Sequence, residues 1–476
     1  MPSTLSLHPD RALPAEPGLR AVARRIYGST MELPVVSMHG HVPVEVLADN
    51  DAFPDPAQLL ITPDHYVTRM LVSQGMSPGE LGVRVLGDPR ASAPVEPAAR
   101  EIWRRFCASW HLFRGTPSRY WLEHELVEVF GVTQAPCPES ADAIFDTIAA
   151  SLAEPDFRPQ QLLDRFNIEL ISTTDPATST LADHARLRAE GLGERVVPTF
   201  RPDAVVAIDG PTWRRDVDLL GAVADVDTAH YDGYLDALRA RRQTFVDAGA
   251  RATDHGHESA DSTPLSREDA AEIFRRARSG DVTRQAAAAF TAHMLHVMAG
   301  MSRDDGLVMQ LHPGVRRNHH LPTYEQVGPD QGFDIPVAAE FTRGLQPLLE
   351  SYGRDPGFRL ILFTVDETAY SRELAPLAGV YPSVRLGAPW WFLDSPDGMR
   401  RYRELVTETA GFYNTTGFVD DTRAFASIPA RHDLARRVDA GHLARLVAEH
   451  RLDESEAIET AADLAYHLPK AAYAVR

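Results

Sequence analysis

Short apolar runs, each closed by polar or turn residues and separated by stretches of helical periodicity, recur along the chain. This is the pattern of β/α units feeding a parallel sheet. Eight runs are readable. The first four are Pro34–Met38 before His39, Ile168–Ser172 before Thr173-Thr174-Asp175, Arg195–Phe200 before Arg201, and Ala250–Thr253 before Asp254. The second four are Leu307–Leu311 before His312, Arg359–Thr364 before Asp366, Val384–Gly387 before Trp390, and Thr416–Val419 before Asp421. Eight parallel strands predict an α/β fold closed into a (β/α)8 TIM-type barrel. Nearly every run ends in polar residues on its C-terminal side, where such barrels carry their active sites. For any single run a buried helix segment is the plain alternative, because a short apolar stretch does not separate the two by period.

The interval between the first and second runs is too long for one crossover helix. It carries helical patterns at Glu101–Trp110, Tyr120–Phe130 and Ala141–Leu152. The expected organisation is therefore residues 1–41 as N-terminal segment and first barrel strand, 42–166 as a mainly helical insertion, and 167–476 as the rest of the barrel. A second helical pair, near 266–278 and 283–301, separates the fourth and fifth strands, with Ser266 and Asp269 spaced for a capping box. The Pro- and Ala-containing stretch Asp88–Ala99 reads as a surface loop.

Composition narrows the partners. The chain has 476 residues, and its 67 acidic against 48 basic side chains give a formal net charge of -19. Such a surface repels nucleic acid and anionic lipid, so neither is expected as a partner, and a negatively charged small molecule would need local arginines. The two cysteines, Cys107 and Cys137, fit neither a disulfide framework nor a Cys-rich zinc site, which suits a reducing cytoplasm. No signal-peptide core and no membrane-length apolar stretch is seen. Surface composition defines no interface, and a homo-oligomer stays open.

The chemistry gathers at the strand ends. His39 and His41 sit two residues apart, so on a strand end both imidazoles face one way, as two ligands of one metal with Asp421 as an anionic third. Two surface histidines after a buried strand is the bland alternative for the pair alone. The matching Asp421-Thr422-Arg423 at the opposite end of the chain favours a built site. His65 and Tyr66 offer an imidazole and a phenol for proton transfer or polyol binding, or else a tyrosine that anchors the insertion. Arg201 and Arg317 suit a carboxylate gripped by two bonds, unless they pair with neighbours such as Asp203. His312 is read as a fourth ligand, a substrate contact or a structural residue. Asp254 is read as binding a hydroxyl or orienting another group, and Trp390 or Trp391 as a pocket wall, with at least one of the two expected in core packing because adjacent strand residues face opposite ways.

Taken in order, these segments resemble the uronate isomerases, the aldose–ketose isomerase branch of the amidohydrolase superfamily. They are His39-Gly40-His41, Asp64-His65-Tyr66 with Arg69, Thr173-Thr174-Asp175, Arg201-Pro202-Asp203, Asp254-His255, Gln310 to Asn318, Trp390-Trp391-Phe392 and Asp421-Thr422-Arg423. The resemblance implies a distorted (β/α)8 barrel with a helical insertion after the first strand and one divalent metal, zinc, partly structural. It further implies conversion of D-glucuronate to D-fructuronate and of D-galacturonate to D-tagaturonate. His39, His41 and Asp421 match the family's metal positions. Tyr66, Asp421, Arg423 and His65 match catalytic positions and Arg201 and Arg317 substrate positions, supported by Asp254, Trp390 and His312. Three places depart from the family's pattern: Ser37 stands where an acid is common, Pro176 follows Asp175, and His319-His320 follows Asn318.

Moving an aldose to a ketose carries a proton from C2 to C1 through an enediol. Such a site needs a base beside C2, a donor or cation beside the enolate oxygen, and a clamp on the distant carboxylate. Tyr66 and Asp421 both qualify as the base. The competing reading is a metal-dependent hydrolase acting on a small sugar-acid lactone or amide, since His, His and Asp can equally hold a metal that activates water. Hydrolases of the superfamily usually add a Lys or Glu on the fourth strand and a further His on the sixth; here those strands end in Thr253-Asp254 and Thr364-Val365-Asp366.

Overall fold

In the computed structural model, which describes residues 3–84, 86 and 96–475, all eight apolar runs lie side by side. The first strand, Val35–Ser37, pairs in parallel with the second, Ile168–Ser172, and the second with the third at Val196–Val197. The second and third each break and resume, at Asp175–Pro176 and Phe200–Arg201, which again pair. Pro198, lacking an N–H to give to the ladder, lies within the third strand's break. The fourth strand, Ala252–His255, joins Phe200 on one side and the fifth, Val308–Leu311, on the other. The sixth, Leu360–Leu362, and seventh, Val384–Leu386, continue the parallel order.

The eighth run forms no ladder of its own. It meets the seventh in a single parallel bridge between Leu386 and Thr415. Beyond it the barrel closes by two backbone bonds, Asp421 N–H to the His39 carbonyl at 3.1 Å and His41 N–H to the Thr422 carbonyl at 2.9 Å. The distorted barrel expected from sequence is therefore present, and the residues that shut it carry or adjoin the His39, His41 and Asp421 side chains. Inside it Val36, Leu170, Val197, Ala252, Val308 and Ile361 form one apolar cluster. Below, the Tyr473 hydroxyl of the C-terminal tail donates to Gln310 Oε1 at 2.7 Å, so the tail plugs the end away from the polar strand ends.

Between the first and second strands the chain is helical, including Glu96–Ala108, Pro117–His124 and Ala141–Leu152. Trp103, Phe106 and Trp110 fill a core that runs on into Val35, Ile168 and Ile171 of the first two strands, and the Trp103 indole donates to the Ala141 carbonyl. These helices thus share their apolar core with the barrel. Of the stretch Asp88–Ala99 expected as a loop, residues 88–95 lie outside the described residues; Glu96 onward belongs to a helix. Ser266 caps Arg267–Arg278 by accepting the Asp269 N–H, but Asp269 bonds the Ser266 hydroxyl instead of its backbone, so the box is half formed. No described helix is long and apolar enough to cross a membrane.

Candidate active site

The polar strand ends meet at one face of the barrel. His39 and His41 place Nε2 3.2 and 3.0 Å from the same oxygen, Oδ1 of Asp421. Asp421 adopts φ 44°, a left-handed conformation that an aspartate tolerates better than most residues and that turns its carboxylate to the histidines. Burial opposes charge on that carboxylate, yet the two imidazoles hold its pKa well below the usual range. Burial likewise disfavours a charged His39, but Asp254 and Asp421 hold its pKa above the ordinary value. Asp421 Oδ1 has no hydrogen-bond partner although it is buried. Two imidazole nitrogens and a buried, ionised oxygen converging on one point are the donor set of a divalent metal ion.

Behind this group His312 stacks on His39 with ring centroids 4.5 Å apart, and Phe363 of the sixth strand stacks on His312 at 4.1 Å. His312 Nδ1 lies 2.8 Å from Asp254 Oδ1, off the line of a hydrogen bond. Burial takes the His312 pKa down to about 4, so the ring is neutral. Asp254 also sits 3.3 Å from Arg201, whose Nε donates to Asp203 at 2.9 Å. Asp203 in turn accepts the Gly256 N–H. A Cβ at Gly256 would stand 2.8 Å from Arg201 Nη2 and 2.9 Å from Asp203 Oδ2, so any larger residue there would push this pair aside. The group Asp203, His255 and His257 has ligand-like spacing too, but Asp203 is already committed to Arg201.

On the other wall, Asp64 caps the helix His65–Val72 by accepting the Tyr66 N–H at 2.8 Å, which sets His65 and Tyr66 at the helix start, facing the cavity. Tyr66 lies edge-on to Trp121, and the Arg431 guanidinium lies 5.0 Å from its ring and 3.6 Å from that of Trp121. Arg431 is fully buried and bonds Asp394 at 2.5 Å. Burial holds the Tyr66 phenol well above its ordinary pKa and takes His65 down to about 3, so both are neutral near pH 7. The Tyr66 hydroxyl has no hydrogen bond among the described residues, and His65 Nε2 is buried and unpaired.

Of the eleven side chains expected from sequence, His41, His65, Tyr66, Arg201, Arg317, Trp390, Asp421 and Arg423 line a single cavity, and His39, Asp254 and His312 stand directly behind it. Trp390 and Trp391 both line the cavity and both are buried in the apolar cluster with Val36 and Ile361, so the expected core packing and the expected pocket wall fall on the same two side chains; Trp391, at φ 55°, opens a short helical turn. The Trp391 ring meets the Arg317 guanidinium at 5.3 Å. Asp330, Gly332 and Asp334 also line the cavity and were not foreseen. Their one signal was the turn-rich Gly328-Pro329-Asp330-Gln331-Gly332, which marks a loop but not its destination.

The chain resembles known proteins over nearly its whole length. A family model described as glucuronate isomerase matches residues 19–473. The uronate isomerase of Rhizobium meliloti is 54% identical over 467 residues, 98% of this chain and 99% of that one. That of Brucella canis is 53% identical over 469 residues, 98% of this chain and all of that one. Among solved structures, the glucuronate isomerase from Caulobacter crescentus superposes with a TM-score of 0.96 at 49% identity, covering 99% of this chain and 98% of its own. The uronate isomerase from Thermotoga maritima gives 0.90 at 27% identity, covering 98% and 99%.

Proposed function

Because the chain belongs to the uronate isomerase family and is an aldose–ketose isomerase of uronates, we propose that its reaction runs in the cavity between the histidine pair and the arginines. The observation that carries the assignment is the meeting of a His39/His41/Asp421 donor set with Arg201, Arg317 and Arg423 around one cavity, with the Tyr66 phenol on its wall. The substrates are D-glucuronate and D-galacturonate, giving D-fructuronate and D-tagaturonate. Zinc is the ion assigned to His39, His41 and Asp421, since two imidazoles and a carboxylate suit it; when bound it supplies Lewis-acid polarisation of substrate oxygens. A reducing cytoplasm fits the free thiols of Cys107 and Cys137.

Each remaining part of the reaction falls to a side chain. Arg201, ionised and fixed by Asp203 and Asp254, and Arg317, fixed by Asp334, clamp the substrate carboxylate. Asp421 is the ionised acceptor for the C2 hydroxyl proton, and Arg423 faces the oxygen on which negative charge develops. The carbon-bound proton leaves C2 and returns at C1, while the hydroxyl proton passes from O2 to O1, so the sugar is rearranged with no net gain or loss of atoms. Two groups on the cavity wall compete for the carbon-bound proton: Asp421, already ionised, takes it directly, whereas the Tyr66 phenol, neutral in the free protein, takes it only after passing its own proton on; Tyr66→Phe and Asp421→Asn compared for deuterium entry at carbon separate them. Trp390 walls the sugar face, and His65 presents a neutral ring at the far side. His312 and Asp254 orient His39 and Arg201.

The hydrolase alternative is set aside. This chain's relatives at 50% identity and more are named uronate isomerases, and just past the sixth strand it is Phe363, which cannot bind a metal, that stacks on His312. The test is proton NMR of the zinc-supplemented protein with each uronate in deuterated water. Ketose signals and deuterium entry are expected; neither sugar changing, with folded protein, would overturn the assignment.

A further inference from the structure

The cavity has one wall that comes from neither a barrel strand nor the helical insertion. After the fifth strand the chain forms a hairpin, with Val315–Arg316 antiparallel to Ile335–Pro336, and its long connection brings residues 328–334 over the strand ends. Gly328 and Gly332 both have φ 85°, and Asp330 between them has φ 61°. A non-glycine residue held there is a strained choice that clusters at functional sites. Gly332 packs against the helix of His65 closely enough that a Cβ would stand 3.2 Å from the Arg69 Cβ and 3.4 Å from the His65 carbonyl.

Two carboxylates on this segment reach the cavity's arginines. Asp334, buried, accepts the Asn318 N–H at 2.6 Å and Arg317 Nη1 at 3.0 Å. Asp330 Oδ2 lies 3.1 Å from Arg423 Nη2, and the Asp330 carbonyl accepts from Arg423 Nη1 at 3.5 Å. Among the described residues, no other side chain pairs with Arg423. The Asp330 carboxylate stays ionised, because Arg423, Arg201 and Arg317 outweigh its burial.

We propose that Asp330 is a positioning residue for the isomerisation: it holds the Arg423 guanidinium against the reacting oxygens and closes the cavity from above. This rests on the uronate isomerase reading. Among the described residues Arg423 has no other tether, so its aim in the cavity depends on a residue more than 90 positions away on a loop. The opposite function for the same contact is an internal anion that occupies the seat of the substrate carboxylate and is displaced by it. The two differ in sign. Losing a positioning carboxylate lowers kcat, whereas losing a competing anion lowers KM.

The experiment is a double-mutant cycle on the full-length, zinc-supplemented enzyme with Asp330→Asn, Arg423→Lys and the pair, following kcat and KM for both uronates. Asparagine keeps the shape of aspartate and tolerates the left-handed backbone, so the exchange removes the charge and one acceptor oxygen without disturbing the loop. Asp330→Asn is expected to lose about ten- to a hundredfold in kcat with KM little changed. The double variant should be no slower than Arg423→Lys, because the two residues act as a unit. Additive losses, or a fallen KM with kcat intact, overturn the proposal. Amide exchange without substrate checks the contact apart from turnover: Asp330→Asn should speed exchange in the peptides around 328–334 and 421–424, and unchanged exchange overturns it. A wild-type enzyme that turns over neither uronate would sink the functional reading instead, while the exchange result still decides whether the tether exists.

Discussion

The two ends of the cavity are built by different means. At the metal end, His39, His41 and Asp421 project from the points where the first and last strands are joined by backbone bonds, so barrel closure itself sets their geometry. At the anion end, Arg201 is held by Asp203 and Asp254, while Arg317 and Arg423 reach in on loops and are aimed by Asp334 and Asp330. One end is fixed by the ladder and the other by counter-ions. Damage at the first should therefore appear in kcat and damage at the second chiefly in KM, with Arg423 the exception because the proposed reaction sets it against the oxygen on which charge develops.

The hardest blow to the first half of that contrast is Asp421→Asn. It removes the anionic donor and the ionised acceptor together, and loss of a positioned acid–base group alone is worth about 10³-fold. The change should fall on kcat and lower the protein's zinc content, measured by NMR turnover and by metal analysis of the dialysed protein. Undiminished turnover would remove Asp421 from the mechanism.

Arg431→Met probes what lies between the ends. Arg431 is fully buried beneath Tyr66 and Trp121, and deleting it strands the Asp394 carboxylate without its partner. Breaking such a buried pair costs about 3–5 kcal/mol, which a lowered urea midpoint should report. A stability near that of the wild type would mean Asp394 is neutral in the fold.

The asymmetry between the ends also decides what could be read from sequence. His39-Gly40-His41 and Asp421-Thr422-Arg423 follow apolar runs directly, and the two-residue period of a strand says that their side chains share a face. Arg201 was readable for the same reason, and so were all eight strand positions, although the eighth has only the bridge at Thr415. Asp330 and Asp334 were not, because a loop residue's destination is set by where the hairpin Val315–Arg316 and Ile335–Pro336 folds back, a long-range property with no local period. Core packing and a pocket wall were both readable for the Trp390-Trp391 pair, but not that the turn at Trp391 lets both side chains serve as both. Arg431, inside a long helix, looks like any surface arginine until Trp121 and Tyr66 of the insertion are laid over it.

Arg201→Lys tests the second half of the contrast. A lysine keeps the charge but not the planar fork that can bind Asp203, Asp254 and a substrate carboxylate at once. Hydrogen bonds between charged groups are worth about 1.5–3 kcal/mol, so KM should rise roughly ten- to a hundredfold with a smaller change in kcat. A fall confined to kcat would put Arg201 in the proton transfers and merge the two ends into one.

The mildest test compares two histidines that differ in their distance from the arginines. Burial takes the pKa of both His255 and His442 down to about 3, so each stays neutral in the folded protein and gains a proton on unfolding once the pH is below its ordinary value of 6.5. The unfolded chain then binds more protons than the folded one. The stability is therefore fully present above pH 6.5 and is lost as pH falls from there toward 3, at up to about 1.4 kcal/mol per pH unit for each histidine. Replacing either with glutamine should flatten the fall of Tm between pH 6 and 4. His442 packs against Phe412 and Thr407, remote from the cavity, and its loss should leave KM unchanged. His255 stands in the group with Asp203 that steadies Arg201, so its replacement should also raise KM. Equal KM for the two variants would mean that Arg201 needs only its two carboxylates, and that the anion end is stiffer than its loops suggest.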